Sequence, residues 1–86
     1  MQRRAVIAKP DYYLDITADV CPMTFVRTRL LIERMSPGQT AEIRLKGEEP
    51  LKNVPASVAE LGHTVEELAA ESPGSEIHIL RIRTKS

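Results

Sequence analysis

The chain has 86 residues, with 12 Lys or Arg against 12 Asp or Glu, so its formal net charge is zero. This length fits one domain with one small core, and no apolar stretch approaches the length of a membrane span. A balanced charge and only one Phe and two Tyr argue against nucleic acid as the main partner, and a single cysteine excludes an internal disulfide.

The first eleven residues are predicted to form an N-terminal tail, and residues 12–86 a single domain. Near the basic start, the apolar run covers only Ala5 to Ala8, which is too short for the core of a signal peptide. With no such signal and one cysteine, we expect a protein of the reducing cytoplasm.

Alternating apolar and polar residues predict a first strand over residues 12–17, with Tyr12, Leu14 and Ile16 on one face. From residue 22 to 35 the spacing of apolar residues becomes that of a helix, and residues 36–38 form a breaker and a turn. The predicted buried face of this helix comprises Phe25, Thr28, Leu31, Ile32 and Met35.

The only cysteine, Cys21, stands where the first strand gives way to the first helix. Pro22 has a helical φ and no N–H, so it suits the first helical position, and Cys21 before it is predicted to be the N-cap. A thiol there faces unpaired N–H groups and the positive end of the helix dipole, which favour the thiolate. This position predicts a reactive nucleophile; the alternative is a small buried hydrophobe.

The first helix carries a second apolar stripe, roughly opposite the predicted buried face. Its members are Met23, Val26 and Leu30, interleaved with Arg27 and Arg34. An exposed apolar stripe beside a reactive thiol predicts a docking surface, and its cationic rim favours an acidic partner. The alternative is a rotated helix in which this stripe belongs to the core.

The second half of the chain begins with a strand predicted at residues 41–46, where apolar and charged residues alternate. Residues 48–50 are expected to form a loop. A second helix would follow, with Asn53 as a cap, Pro55 in its first turn and Gly62 as its C-terminal stop.

Residues 64–71 carry conflicting signals. Residues 64–67 match a capping box and residues 68–70 favour helix, whereas a strand would continue the alternation of elements. Pro73-Gly74 marks a turn, and residues 77–83 are rich in β-branched side chains, which predicts a closing hairpin. The order β-α-β-α-β-β predicts an α/β (α+β) fold, a two-layer sandwich with two helices on one face of a four-stranded mixed sheet.

Six short motifs follow one another along the chain, over roughly residues 12–83. They are Leu14-Asp15, Cys21-Pro22, Pro37-Gly38, Glu49-Pro50, Val54-Pro55 and Gly62-His63. Together they resemble the TusA/SirA-like sulfur-carrier proteins, and the resemblance implies the same sandwich fold.

The resemblance also implies a sulfurtransferase activity without a metal or an organic cofactor. Cys21 would accept a persulfide sulfur from a desulfurase or rhodanese-like donor protein, and Pro22 would set its presentation. An acceptor protein would take the sulfur toward tRNA thiolation, cofactor assembly or sulfur metabolism. The alternative function is a non-catalytic interaction or regulatory module that uses the face of the first helix.

This chain departs from the family pattern at two places. The second proline of the Cys-Pro-X-Pro motif is Thr24 here, which adds an N–H and a hydroxyl near the helix start, and the usual Gly-Leu is Ala18-Asp19. Asp19 places a negative charge close to Cys21, which opposes thiolate formation. We expect Thr24 and Asp19 to be where this chain's own choice of donor and acceptor begins or, alternatively, where carrier activity is lost.

Two other sets of residues are candidates for a chemical role. His63 and His78 are fifteen residues apart with no cysteine nearby, so their spacing does not predict a metal site, and His63 fits a loop or cap. Arg81, Arg83 and Lys85 are predicted as the exposed side of a terminal strand that discourages edge pairing; alternatively, they attract an anionic acceptor.

Overall fold

The computed structural model describes residues 10–20 and 22–85, so residues 1–9 of the predicted tail, Cys21 and residue 86 lie outside the described residues. The elements follow the predicted order β-α-β-α-β-β. They are β1 (Tyr12–Asp15), α1 (Met23–Arg34), β2 (Thr40–Lys46), α2 (Glu48–Glu60), β3 (Thr64–Ala70) and β4 (Ile77–Arg83).

The four strands form one mixed sheet in the order β1-β2-β4-β3. β1 and β2 are parallel, which requires a crossover connection, and α1 provides it. β4 pairs antiparallel with both β2 and β3. The predicted fold class and the closing hairpin are therefore confirmed.

One face of the sheet packs beneath both helices and forms the core. Strand residues on this face alternate with residues on the outer face, as the period of two in β2 predicts. The buried apolar residues are Ile16, Ile32, Ala41, Ile43, Leu45, Val54, Val58, Leu80 and Ile82.

The buried face of α1 is shifted from the predicted one. Thr24, Thr28 and Ile32 are buried, whereas Phe25 is only half-buried, so the prediction for Phe25 is wrong. Residues spaced four apart lie nearly in line on a helix, and Thr28 is the centre of that line. The buried Thr28 hydroxyl donates to the Thr24 carbonyl at 2.8 Å, which satisfies it inside the core.

The second helix starts earlier than predicted, so the expected loop at residues 48–50 and the Asn53 cap are both wrong. α2 begins at Glu48, after Gly47 with φ 102° as its N-cap. Two glutamates in the first turn suit the positive end of the helix dipole, and Pro50 occupies a first-turn position where no N–H is needed. Pro55 consequently lies inside the helix.

The ambiguous segment is strand β3, as the alternation of elements predicts, and its helix-like capping box has no helix to cap. Its register against β4 shifts between Val65 and Glu67, which marks an irregularity of the β-bulge kind. Pairing with β4 therefore overrides the local preference of residues 68–70 for helix.

The C-terminal strand is not an edge strand, so the prediction that its arginines discourage edge pairing is wrong. β4 lies between β2 and β3, where Arg81 pairs with Glu42 at 2.8 Å and Arg83 with Glu66 at 2.6 Å. These arginines link neighbouring strands across the outer face of the sheet.

Another ion cluster on the outer face is centred on Arg44. Its guanidinium binds both oxygens of the Glu71 carboxylate, at 2.7 and 2.9 Å, and Asp15 at 3.2 Å. Hydrogen bonds from the Thr17 N–H and hydroxyl, and then Arg44, lower the pKa of Asp15. The Arg44 hydrogen bonds lower the pKa of Glu71.

Within residues 10–20 and 22–85, the helices are too short or too polar to cross a lipid bilayer.

Candidate functional site

The segment between β1 and α1 is held by its own backbone. Ile16 is buried, and its N–H donates to the Arg44 carbonyl of β2 at 3.0 Å. The Asp19 N–H donates to the Ile16 carbonyl at 3.1 Å, which closes a turn directly after the strand. The chain thus leaves the sheet at a fixed point and reaches α1 within a few residues.

A second turn joins this segment to the helix. The Val20 carbonyl accepts the Met23 N–H at 2.7 Å and the Thr24 N–H at 3.4 Å. Pro22, with φ −93° and ψ 6°, is the N-cap, so α1 begins one residue later than predicted. The predicted places of Pro22 and Cys21 in the helix are wrong because the turn, rather than the proline, sets the first helical residue.

Cys21 itself lies outside the described residues, but both of its chain neighbours are described. Val20 and Pro22 are exposed, Val20 at 73%. Since the Val20 carbonyl is bonded to the first turn of α1, the backbone on either side of the cysteine is tied to the helix start.

Thr24 takes a structural place in this region. Its side chain is 2% exposed, and its N–H is one of the two donors to the Val20 carbonyl. A proline at this position has no N–H to donate, so this contact depends on the residue in which the chain departs from the Cys-Pro-X-Pro pattern.

The charge of Asp19 is paired. Its carboxylate accepts from the Arg27 guanidinium at 2.5 Å, about one turn along the exposed side of α1. Opposite charges at this separation offset one another at longer range. Arg27 therefore offsets part of the Asp19 charge, and this arginine of the predicted docking surface already has an ion-pair partner.

The predicted docking stripe faces solvent, which excludes the rotated-helix alternative. Met23, Val26 and Leu30 are all exposed, Leu30 at 55%. Arg27 and Arg34 are exposed as well. Val20 extends the apolar stripe to the start of the helix, and the sequence prediction missed it because no periodicity covers an isolated residue before a helix.

A groove of about 340 Å³ runs between this side of α1 and β1. Its lining residues are Tyr12, Tyr13, Leu14, Arg27, Leu30, Leu31 and Arg34. The Tyr12 hydroxyl donates to the Arg34 carbonyl at 3.3 Å and bridges one end of the groove. The sequence did not identify the tyrosines as site residues because their proximity to α1 depends on the crossover.

A second hollow, of about 280 Å³, lies on the other side of the turn, against the start of α2. It is lined by Asp19, Val20, Lys46, Gly47, Glu48, Glu49 and Pro50. Three carboxylates against one lysine make it acidic, in contrast to the cationic groove along α1. The two sides of the turn therefore differ in the charge that they present.

The histidines lie apart from this turn in the fold. The His63 Nδ1 accepts the backbone N–H of Lys85 at 3.1 Å in the loop before β3, as the loop prediction implies. His78 lines a third hollow with Glu48 and Glu76, and its Nδ1 is buried without a hydrogen bond to any described residue. Among the described residues, His, Asp and Glu nowhere form a group of three that could hold a metal ion.

Comparison with known proteins gives the family. A family model described as "Sulfurtransferase TusA" matches residues 12–84. The chain belongs to the TusA family. Its matched range contains every described helix and strand, together with Cys21.

Two curated relatives carry the name "Putative sulfur carrier protein". The relative from Archaeoglobus fulgidus is 36% identical over 72 residues, which cover 84% of this chain and 80% of the relative. The relative from Thermotoga maritima is 32% identical over 60 residues, or 70% of this chain and 76% of the relative. The resemblance drawn from the sequence motifs is thereby confirmed at the level of the family.

The fold also has a close match among solved structures. The crystal structure of a SirA-like protein from Desulfitobacterium hafniense superposes with a TM-score of 0.73 at 14% identity. The match covers 87% of this chain and 99% of the other, so the two proteins share the same fold over nearly their whole length.

Proposed function

We propose that this TusA-family protein is a sulfur carrier that holds a persulfide on Cys21 and passes its outer sulfur to a second protein. The observation that carries the proposal is the exposed turn around Val20 and Pro22, tied to the start of α1, in a chain that matches the family over residues 12–84. Its single cysteine suits transfer between proteins, since the second thiol lies on the partner.

The chemistry consists of two exchanges at sulfur. In loading, the Cys21 thiolate attacks the outer sulfur of a donor persulfide, R–S–SH; the donor S–S bond breaks, R–S⁻ leaves, and Cys21–S–SH forms. In unloading, an acceptor thiolate attacks the outer sulfur of Cys21–S–SH, and Cys21 leaves as a thiolate. Neither step requires a metal, an organic cofactor or an external oxidant.

Around the cysteine, the neighbouring residues have positioning roles. Pro22 and Thr24 fix the turn that carries it, through the N-cap and the Val20–Thr24 hydrogen bond. Arg27 keeps the Asp19 charge paired, so that the carboxylate opposes a thiolate less strongly. These roles follow from contacts that each residue makes with the turn, not from contact with sulfur.

Docking of both partners would use the exposed stripe of α1. An apolar surface lies beside the turn that carries Cys21 and is formed by Val20, Met23, Val26 and Leu30. Because these side chains are already exposed, a partner protein can bind them transiently while the carrier stays folded. A desulfurase or rhodanese-like protein would be the donor, and the acceptor would be another protein in the reducing cytoplasm. This environment keeps the lone thiol available for exchange.

The test is the intact mass of the protein after incubation with a persulfide donor such as cysteine persulfide. Wild type is expected to gain one sulfur atom that a thiol reductant removes, because the added sulfur is held through an S–S bond. Cys21→Ala is expected to gain none.

Pro37→Ala serves as a matched control, since it changes an exposed proline in the turn after α1 and leaves the cysteine in place. An unmodified wild type across several donors would contradict the carrier function. Partner binding that survives Cys21→Ser in that case would favour the non-catalytic interaction module instead.

A further inference from the structure

The groove between α1 and β1 has features that the carrier function alone does not require. β1 is an edge strand, and in the described part of the chain only β2 pairs with it. An edge strand bordered by an apolar groove is a place where an extended segment can lie along the sheet. Tyr13, at 57% exposure, and Leu30 leave large apolar surfaces toward this space.

The charged residues of the groove indicate which charge a bound segment would carry. Arg27 and Arg34 are the charged residues that line it, and both are cationic. Arg27 is paired with Asp19, whereas Arg34 makes no ion pair with a described residue. Arg34 is therefore the cation available to a partner, and it lies at the C-terminal end of α1, away from the turn. An acidic group of the bound segment would pair with it there.

The length of α1 determines how many residues of an extended segment would connect the two ends of the groove. From Arg34 to Met23 the helix rises about 16 Å at 1.5 Å per residue. An extended chain covers about 3.3 Å per residue, so about five residues connect the Arg34 end of the groove to the turn before α1. That turn is where the chain carries its only cysteine.

We propose that the groove binds an extended, acidic and partly apolar segment of the protein that exchanges sulfur with Cys21. Its acidic end lies at Arg34, and its own cysteine follows about five residues away, at the turn. This inference rests on the proposed function and specifies the shape and charge of the partner.

Two other occupants fit the groove less well. Residues 1–9 of this chain carry Arg3, Arg4 and Lys9 and no acidic residue, so their charge has the same sign as the groove. A second copy would bring its own α1 arginines to the same cationic surface. Like charges brought together at an interface are unfavourable.

The experiment measures thiol exchange, which proceeds whether or not the protein carries a persulfide. Cys21 of the full chain is converted to the mixed disulfide with thionitrobenzoate. A peptide thiolate then attacks the Cys21 sulfur, the S–S bond to thionitrobenzoate breaks, and the coloured thionitrobenzoate anion leaves and is measured. Failure of the persulfide loading test would leave this measurement valid, so the two proposals are separated.

The probes are synthetic peptides with a cysteine, alternating Val and Thr residues, and a Glu-Glu pair about five residues from the cysteine, made in both chain directions. At least one direction is expected to react about tenfold faster than the same peptide with Lys-Lys or with a one-residue spacer. Equal rates for long and short spacers, or for Glu and Lys, would overturn the proposal.

Two charge variants locate the binding surface. Arg34→Glu is expected to abolish the advantage of the Glu-Glu peptide. Arg29→Glu makes the same change on the same helix outside the groove and is expected to retain most of it. Equal losses in both variants would show a general charge effect and contradict a groove site.

Competition identifies the other occupants. A free peptide with the sequence of residues 1–9 is expected to leave the exchange rate unchanged. Strong inhibition by this peptide would assign the groove to the chain's own N-terminal segment, and a rate that falls as protein concentration rises would assign it to a second copy. Either result would overturn the proposal.

Discussion

Asp19 and Arg27 form an ion pair beside the turn that leads into α1. Asp19 is two residues from Cys21 in the chain, and its carboxylate is held by Arg27 on α1. Both side chains retain partial exposure, so solvent screens the pair and each charge has only a modest effect at long range. In the proposed carrier function Arg27 is a positioning residue, and we expect its removal to change the reactivity of Cys21.

Arg27→Ala is expected to slow alkylation of Cys21 by iodoacetamide at neutral pH about two- to threefold, because the unpaired Asp19 charge then disfavours the thiolate. Alkylation is followed by intact mass. Arg29→Ala removes another exposed arginine from α1 and should have little effect, since Arg29 pairs with Glu33. Asp19→Asn combined with Arg27→Ala should restore the rate, and a double variant as slow as Arg27→Ala would disprove the coupling.

At the level of secondary-structure elements, α2 contains a proline at a position where it destabilises the helix. Pro55 occupies the eighth of its thirteen positions, where a proline removes the hydrogen bond to the residue one turn earlier. Pro50 occupies the third position, where the N–H has no helical partner. The same residue type thus stands in an unfavourable and a tolerated place of one helix.

Pro55→Ala is expected to raise the free energy of unfolding by about 1 to 2 kcal/mol, because Ala restores the N–H donor to the Leu51 carbonyl. Urea unfolding followed by circular dichroism measures it. Pro50→Ala is the matched control and should change the free energy by less than about 0.5 kcal/mol. Similar gains from both substitutions would mean that helix position is not the cause.

The same elements explain how far the sequence could predict this fold. β2 was predictable because its alternation records burial on one face, and Ala41, Ile43 and Leu45 are indeed buried. The start of α2 was not, because Pro50 reads locally as a turn and only its first-turn position makes it helical. β3 depends on pairing with β4, which no local propensity contains.

The candidate site likewise has features that the sequence could predict and features that it could not. The solvent-facing stripe of α1 follows from helical spacing, so it could be predicted from residues 23–34 alone. The pairing of Asp19 with Arg27 and the approach of Tyr12 to Arg34 arise from the path of the chain between β1 and α1. Contacts of this kind require the tertiary fold, and so does the contrast between a cationic groove and an acidic hollow on either side of the turn.

Across the whole molecule, polar contacts join segments that are distant in sequence. Asp11 and Thr40 exchange hydrogen bonds, with the Thr40 N–H donating to the Asp11 carboxylate at 2.9 Å. At the other end of the chain, the Lys85 N–H donates to His63. Several of these contacts include titratable groups, so stability should depend on pH in separable ranges.

The first range belongs to His63, whose pKa is lowered from its ordinary value of 6.5 by burial and by Lys85. The unfolded chain then binds more protons than the folded one below pH 6.5. Stability should therefore be fully present above pH 6.5 and decrease as the pH falls toward the lower folded-state pKa. Protonated Nδ1 also cannot accept the Lys85 N–H.

The second range belongs to Asp15 and Glu71, whose pKa values are lowered from 3.8 and 4.5. Their contribution is present above these values and lost as the pH falls below them, because the carboxylates must then be protonated.

His63→Asn keeps an acceptor oxygen near the place of Nδ1 but does not titrate, so it should remove the loss just below pH 6.5 and retain the acid loss. Arg44→Gln should reduce the acid loss and leave the first range unchanged. Urea midpoints measured between pH 3 and 8 test both expectations; a His63→Asn profile identical to wild type would assign the first range to another group.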